Sequence, residues 1–132
     1  MAVDIIEITE NDFSTDNIIN KIKTSEIGCV VTFVGIVRGT SQNGSDQVET
    51  LEIEAYDEMG KKLLLELVDK AKSHFEINDI YIIHRTGKLK VGDKIVCIAV
   101  SAAHRKDAFK ACEWLINELK KIVPIWKKEI II

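Results

Sequence analysis

The chain has 132 residues, of which 46% are hydrophobic and 30% charged, so it is long enough to bury a core and has the composition of a globular protein. Its net charge of −3 argues against general binding to nucleic acid or to a membrane surface, because both favour a basic protein. The sequence has no signal peptide and no apolar run approaching the roughly 20 residues of a membrane span, so we expect a cytoplasmic protein.

In the first part of the chain, the pattern of apolar residues predicts two strands and one helix. Residues 3–8 predict a short strand, and Ser14 is placed to cap a helix with an apolar face. Residues 29–37 are nearly all apolar and often β-branched, which favours a central strand covered on both faces. Residues 38–47, the polar segment, are loop formers without an apolar anchor, and we expect this segment to be mobile.

The middle of the chain predicts three strands and one helix. Apolar and polar residues alternate over 48–56, which indicates a strand with one buried face. Asp57 is placed to cap a helix that extends to about Phe75. Residues 80–83 and 95–103 are apolar and predict two further strands, separated by a tight turn.

The last part of the chain predicts the longest helix and a final strand. His104 and Arg105 begin this helix, Pro124 ends it, and residues 125–132 are rich in strand formers. The resulting order is β-α-β-β-α-β-β-α-β, with three main helices. We therefore expect residues 1–132 to form one α+β domain with two layers and a mixed β-sheet.

The last predicted helix carries the best candidates for catalysis. At about 100° per residue, Lys120 lies at the boundary of the apolar arc of the helix, and Lys121 lies nearly opposite that arc. Pro124 fixes the direction of the chain after the helix, so Lys127 can return beside Lys120. Two ammonium groups in a partly desolvated pocket lower each other's pKa, and such a lysine can act as a general acid or base. The alternative is that Lys120 is a surface lysine whose alkyl chain packs on the core.

Three further basic residues suggest anion binding. His104 and Arg105 stand at a helix start, where free backbone N–H groups and the helix dipole attract an anion, and a guanidinium can bind phosphate with two hydrogen bonds. Arg38 follows a predicted buried strand, so its charge must face a cleft or a partner. The alternatives are a surface His-Arg pair and, for Arg38 and Arg85, ion pairs with glutamates of the 48–56 strand.

The cysteines and histidines do not suggest a metal or a thiol nucleophile. Cys29, Cys97 and Cys112 lie in apolar contexts without a Cys-x-x-Cys pair, which predicts reduced, buried thiols. The three histidines lie in different elements and lack metal-ligand spacing. We therefore expect neither a metal nor a cofactor, and chemistry that uses lysines, arginines and a reactive group brought by a substrate or partner.

Five segments of the chain resemble the signatures of one known family, the catalytic (large) subunits of molybdopterin synthase. In order, they are FVGIVR at 33–38, LEIEAY at 51–56, HRTGKLKVGD at 84–93, SAAHR at 101–105 followed by Phe109, and PIWKKE at 124–129. Each segment alone is a weak signal, but five in the family's order and spacing are specific. Family members usually continue past the last segment into a basic tail, whereas this sequence ends at Ile132.

This resemblance implies an α/β-hammerhead fold and a homodimer that carries a small ubiquitin-like sulfur-carrier subunit at each end. It implies that the carrier's C-terminal thiocarboxylate enters a pocket and that two sulfurs pass to cyclic pyranopterin monophosphate, forming the dithiolene of molybdopterin. The family pattern makes Lys120 and Lys127 catalytic and places Arg38 in the same pocket. It makes His104 and Arg105 ligands of the pterin phosphate across the dimer interface.

Two other classes of function stay open at this point. The first is a non-catalytic regulatory α+β module that binds an anion or a pterin through His104 and Arg105, which would leave the lysine pair unexplained. The second is a structural homo-oligomer assembled through residues 130–132 as an exposed strand. Nucleic-acid binding ranks third, given the net charge and an aromatic content of 6%.

Overall fold

The computed structural model describes residues 4–132, which form three helices and seven strands. Their order is β1 (Ile5–Thr9), α1 (Thr15–Ile22), β2 (Cys29–Ile36), β3 (Val48–Ala55), α2 (Asp57–His74), β4 (Ile80–Arg85), β5 (Gly87–Lys90), β6 (Lys94–Ala102), α3 (Arg105–Ile122) and β7 (Ile125–Ile131). All nine predicted elements are present, although the predicted start of the first strand, Val3, lies outside the described residues. The pattern missed β5, because this strand is short and only Leu89 in it is buried.

The strands form two sheets, where the sequence predicted one mixed sheet. The first has four strands in the order β1-β4-β6-β2, with β1 parallel to β4 and the other pairs antiparallel. The second has three antiparallel strands in the order β5-β3-β7. Since the structure combines helices with strands whose pairing is mostly antiparallel, the predicted α+β class is confirmed.

The position of β2 corrects one prediction. An apolar run was expected to make it a central strand buried on both faces, but among the described strands β2 pairs only with β6 and lies at the edge of its sheet. Phe33 and Ile36 are 37% and 50% exposed. An apolar run in a sequence indicates that the two faces of a strand are covered. It does not show whether a neighbouring strand pairs with each edge of that strand.

The core explains why β6 is apolar on both faces. Val96, Ile98 and Val100 belong to a large cluster with residues of α2 and α3. Cys97 and Ala99 point the other way, into a smaller cluster that includes buried isoleucines of α1. The prediction that this segment is a fully buried strand is therefore confirmed, and the helices lie on both faces of the four-stranded sheet.

The helix ends agree with the sequence in part. Ser14 caps α1, accepting a hydrogen bond from the backbone N–H of Asn17 at 3.3 Å, as predicted. Asp57 is wrong as a cap, because Tyr56 occupies the N-cap position of α2 and Asp57 lies inside the first turn. The helix after His104 is α3, which is as long as α2 and not longer. None of the helices within residues 4–132 combines the length and the apolar character that crossing a bilayer requires.

The polar segment is folded back on itself. Ser41 is buried, its N–H donates to the carbonyl of Asp46 at 2.8 Å, and its own carbonyl accepts from Gly44 at the same distance. An isolated bridge joins Thr40 and Gln47. These contacts hold the segment between the end of β2 and the start of β3; its mobility stays a prediction.

Candidate active site

An open cleft of about 450 Å³ lies where the end of β2, the last turn of α3 and β7 meet. Three of the five predicted site residues, Arg38, Lys120 and Lys127, line this cleft. Its other lining residues are mostly apolar, with two polar exceptions: Ile36, Val37, Val48, Leu51, Ile95, Gln42 and Glu129. The cleft therefore offers cations against an apolar wall, an environment suited to a negatively charged or carbonyl-bearing group.

The two lysines come together through the chain reversal at Pro124. Lys120 belongs to the last turn of α3, and β7 then runs antiparallel to β3 so that Lys127 lies opposite Ile53. Partial burial between the cleft walls lowers the pKa of Lys127, and the positive charge of Lys120 lowers it further. Lys127 still reaches solvent through the open mouth. An amine with a lowered pKa gives up its proton more readily than an ordinary lysine and is therefore better suited to proton transfer.

Lys121 has a different environment, as the helical periodicity predicted. Its side chain is 68% exposed, and its Nζ lies 3.1 Å from Oε2 of Glu118, one turn earlier on α3. Lys120 instead faces the cleft. Two adjacent lysines thus differ in whether they can reach a bound ligand.

Arg38, just after β2, and Arg85, the last residue of β4, have different roles in the structure. Arg38 donates from Nη2 to the carbonyl of Ser41 at 3.4 Å and forms no ion pair within residues 4–132, so its guanidinium is directed to the cleft. Arg85 donates to the carbonyls of Glu10 and Lys94 and lies 3.8 Å from Oδ1 of Asp12. The alternative for both arginines, an ion pair with a glutamate of β3, is wrong. Arg38 forms no ion pair within the described residues, and the partners of Arg85 belong to the segment after β1 and to β6 of the four-stranded sheet.

A second lobe of about 300 Å³, here called the inner lobe because it contains the buried His84, adjoins the first, which is called the outer lobe, and shares Gln42, Lys120 and Lys127 with it. Its remaining lining residues are Leu119, Val123, Ile125 and His84. His84 is 1% exposed, and its Nδ1 lies 2.8 Å from the carbonyl oxygen of Arg85. Burial lowers the pKa of His84 to about 4, with a further contribution from the charge of Lys127, so the ring is neutral near pH 7.

Sequence reasoning missed three residues of the site, namely Gln42, His84 and Glu129. Oε1 of Glu129 accepts a hydrogen bond from the backbone N–H of Gln42 at 3.1 Å, which ties the polar segment to β7. Neither residue differs in the sequence from other surface polar residues. His84 did leave a signal, because it is a polar residue that directly extends the apolar run of β4.

The remaining predicted site residues, His104 and Arg105, lie outside the lysine cleft. His104 is the N-cap of α3 and Arg105 its first residue, and both line an open depression with Gly28, Cys29, Ala103, Lys106 and Phe109. At about 1.5 Å per residue, Arg105 and Lys120 are roughly 22 Å apart along the helix. A single chain therefore does not bring the five predicted residues into one site.

The cysteines do not supply a nucleophile. Burial raises the pKa values of Cys97 and Cys112 to about 11, so both thiols stay protonated near neutral pH. All three cysteines are free, as predicted, but Cys29 is only partly buried. No cysteine lines the cleft, so a cysteine thiolate does not supply its chemistry.

Known proteins resemble this chain in sequence and in fold. The model of the MoaE protein family matches residues 8–122 of the chain. The chain is 40% identical over 126 residues to the molybdopterin synthase catalytic subunit of Thermoplasma volcanium, covering 96% of this chain and 90% of that one. The crystal structure of molybdopterin synthase from Staphylococcus aureus superimposes with a TM-score of 0.87 at 38% identity, covering 96% of this chain and 90% of that chain.

A more distant structure shares the fold. A complex of subunits 1 and 2 of the molybdopterin-converting factor from Helicobacter pylori matches with a TM-score of 0.78 at 23% identity, covering 96% of this chain and 84% of that chain. The family match extends over most of the residues that form both sheets and all three helices. The chain belongs to the MoaE family, the catalytic subunits of molybdopterin synthase, enzymes of molybdenum-cofactor biosynthesis.

Proposed function

We propose that this chain transfers sulfur from the thiocarboxylated C-terminus of a small ubiquitin-like carrier to cyclic pyranopterin monophosphate, forming the dithiolene of molybdopterin in the cytoplasm. The observation that carries the proposal is the convergence of Lys120, Lys127 and Arg38 on one open, otherwise largely apolar cleft. No cysteine lines the cleft, and the proposed reaction needs none, because the carrier brings the sulfur.

The cleft residues match the charges of the reaction. A thiocarboxylate is an anion. Once its sulfur has bonded to the pterin, the acyl carbonyl must be polarised so that water adds to the carbonyl carbon and the carbon–sulfur bond breaks, which leaves the carrier with a carboxylate. The guanidinium of Arg38 and an ammonium group can stabilise this developing negative charge, because they line the cleft beside apolar residues. Lys127, with its lowered pKa, is the better suited of the lysines to give or accept a proton during sulfur transfer.

The partner follows from the form of the cleft and from a relative. An open mouth accommodates the extended end of another protein chain, whereas a closed cavity would not. The Helicobacter pylori structure is described as a complex of two subunits of the molybdopterin-converting factor, which supports a small-subunit partner for this chain as well.

The position of His104 and Arg105 requires a second copy of the chain if they bind the same substrate. Because these residues and the lysine cleft lie at opposite ends of α3, we infer a homodimer in which one subunit contributes the lysines and the other contributes the His-Arg pair. The pterin phosphate would then lie at the start of the partner's α3, where backbone N–H groups and a guanidinium favour an anion.

The experiment that tests this function combines the chain with thiocarboxylated carrier and cyclic pterin, with mass detection of the dithiolene product. Carrier with an ordinary C-terminal carboxylate is the matched control. We expect product only with the thiocarboxylate. Binding of the pterin without turnover would contradict the proposal and favour the regulatory module instead.

A further inference from the structure

His84 is the buried polar side chain of the cleft, and sulfur transfer as described does not use it. It extends the apolar run of β4, and its strand neighbours are Ile8 on β1 and Val96 on β6, both apolar. A buried imidazole among apolar residues is costly unless its nitrogens are hydrogen-bonded. One nitrogen, Nδ1, is bonded to the carbonyl of Arg85 at 2.8 Å.

This one contact determines the tautomer of the ring. A carbonyl oxygen can only accept, so Nδ1 of His84 must carry the proton that it donates to Arg85. In the neutral ring, Nε2 then has a lone pair and is a hydrogen-bond acceptor. No group within residues 4–132 donates a hydrogen bond to Nε2. His84 therefore presents an acceptor that the rest of the described chain leaves unused.

The surroundings of this acceptor are rich in donors. The inner lobe holds His84 together with Lys120 from α3 and Lys127 from β7. The other charged groups of the cleft, Arg38 after β2 and Glu129 on β7, line the outer lobe. Lys127 lines the same lobe of about 300 Å³ as His84, and its charge, unlike that of Lys120, acts on the imidazole ring. Rotation of the Lys127 side-chain bonds is the movement that would bring its Nζ to Nε2.

We propose that His84 is a positioning residue for Lys127: its Nε2 accepts a hydrogen bond from the Lys127 amine and holds that group in the orientation needed to exchange a proton at the cleft mouth. The Arg85 carbonyl fixes the ring, and the ring in turn orients the lysine. A lysine donates whether or not it is protonated, so this contact persists through a proton transfer. This inference rests on the proposed function of Lys127 in sulfur transfer.

Two substitutions separate the two nitrogens of the ring. In His84→Asn, the side-chain amide can still donate to the Arg85 carbonyl, but it is too short to replace Nε2. In His84→Gln, the amide oxygen lies near the position of Nε2 and can accept from Lys127, but the bond to Arg85 is lost. A structural role for His84 predicts that activity follows stability in both variants, whereas a positioning role predicts that the two properties separate.

The test measures single-turnover dithiolene formation and urea unfolding for both variants and for the unmodified chain, each with thiocarboxylated carrier. We expect His84→Asn to keep the greater stability and to lose up to about 100-fold in rate, as displacement of a reacting group does. We expect His84→Gln to be the less stable variant and the faster one. His84→Asn with an unchanged rate overturns the proposal, and so does a rate that falls in step with stability in both variants.

A second readout does not depend on turnover. The pKa of Lys127 is followed by NMR of ¹³C-labelled lysine side chains, with the resonance assigned by its absence in Lys127→Ala. An acceptor favours the charged amine, so its removal in His84→Asn should lower the pKa of Lys127 further, and His84→Gln should restore it. An unmoved pKa in His84→Asn overturns the positioning role. Absence of product from the unmodified chain would instead overturn the proposed function, so the two failures are distinguishable.

Discussion

Lys120 and Lys127 line the same cleft from different elements, and the charge of Lys120 helps to lower the pKa of Lys127. One lysine is held by the last turn of α3 and the other by the pairing of β7 with β3. Because each lysine belongs to a separate hydrogen-bonded element, the pair does not depend on a flexible loop. This relationship leads to the first two predictions.

Lys120→Ala should nearly abolish turnover and leave the fold intact, because the side chain faces the cleft and is not part of the core. Loss of a positioned acid or base typically costs about 10²–10⁴ in rate. The matched control is Lys121→Ala, which removes the same charge one residue away from an exposed position. Single-turnover dithiolene formation measures both variants. If Lys121→Ala is as damaging as Lys120→Ala, the assignment of the helix face is wrong.

Lys127→Ala should also impair turnover. Its effect on the rate should be less than additive with that of Lys120→Ala, because the first substitution in a pair of residues that act together already removes most of their joint contribution. Lys120→Ala should in addition raise the pKa of Lys127 toward the ordinary lysine value, since a neighbouring like charge is removed. The rate of the double variant and the NMR titration of Lys127 test these points. Fully additive losses would mean that the two lysines act independently.

The contact between Glu129 and Gln42 should restrain the polar segment. Glu129→Ala removes the acceptor for the Gln42 N–H, so we expect faster hydrogen exchange at this amide and at its neighbours. Glu113→Ala, at an exposed position on α3, is the control for loss of a carboxylate.

In the unmodified chain, hydrogen exchange over residues 38–47 should slow when the pterin binds, since we expect the polar segment to close over it. Strong protection before binding would contradict its predicted mobility.

The proposed sharing of the site between subunits has a direct test by mixing variants. Lys120→Ala and Arg105→Ala should each be inactive alone. A mixed dimer would contain one site with both native residues, so random mixing should restore about a quarter of the normal activity. Sedimentation velocity establishes that the mixture is dimeric. No recovery in a mixed dimer would mean that the lysines and Arg105 do not act in one shared site.

Burial of His84 should make stability depend on pH. The folded pKa is about 4 and the ordinary value is 6.5, so below about pH 6.5 the unfolded chain takes up a proton that the folded chain does not. Stability should therefore fall as the pH decreases from 6.5 toward 4, by about 2 kcal/mol between pH 7 and pH 5 from this residue. Urea unfolding at both pH values measures the effect. The difference should shrink in His84→Asn, and an equal fall in that variant would assign the pH dependence to other groups.

Several features of the molecule were predictable because they depend on local periodicity. Buried residues on both faces of β6 and the different environments of Lys120 and Lys121 follow from the direction in which successive side chains point. The five family signatures added the grouping of Arg38 with the two lysines, which the structure brings into one cleft. Their catalytic roles stay predictions.

Other features depend on contacts between residues far apart in the chain, and the sequence pattern did not contain them. The edge position of β2 depends on which strands pair, and the division into two sheets depends on the pairing of β3 with β5 and β7. His84 and Lys127 lie on different strands, β4 and β7, and they line the same lobe only because the chain folds back after α3. Local sequence determines the conformation of each element and the face it buries, whereas the distance between two side chains on different elements is decided by the packing of the whole chain.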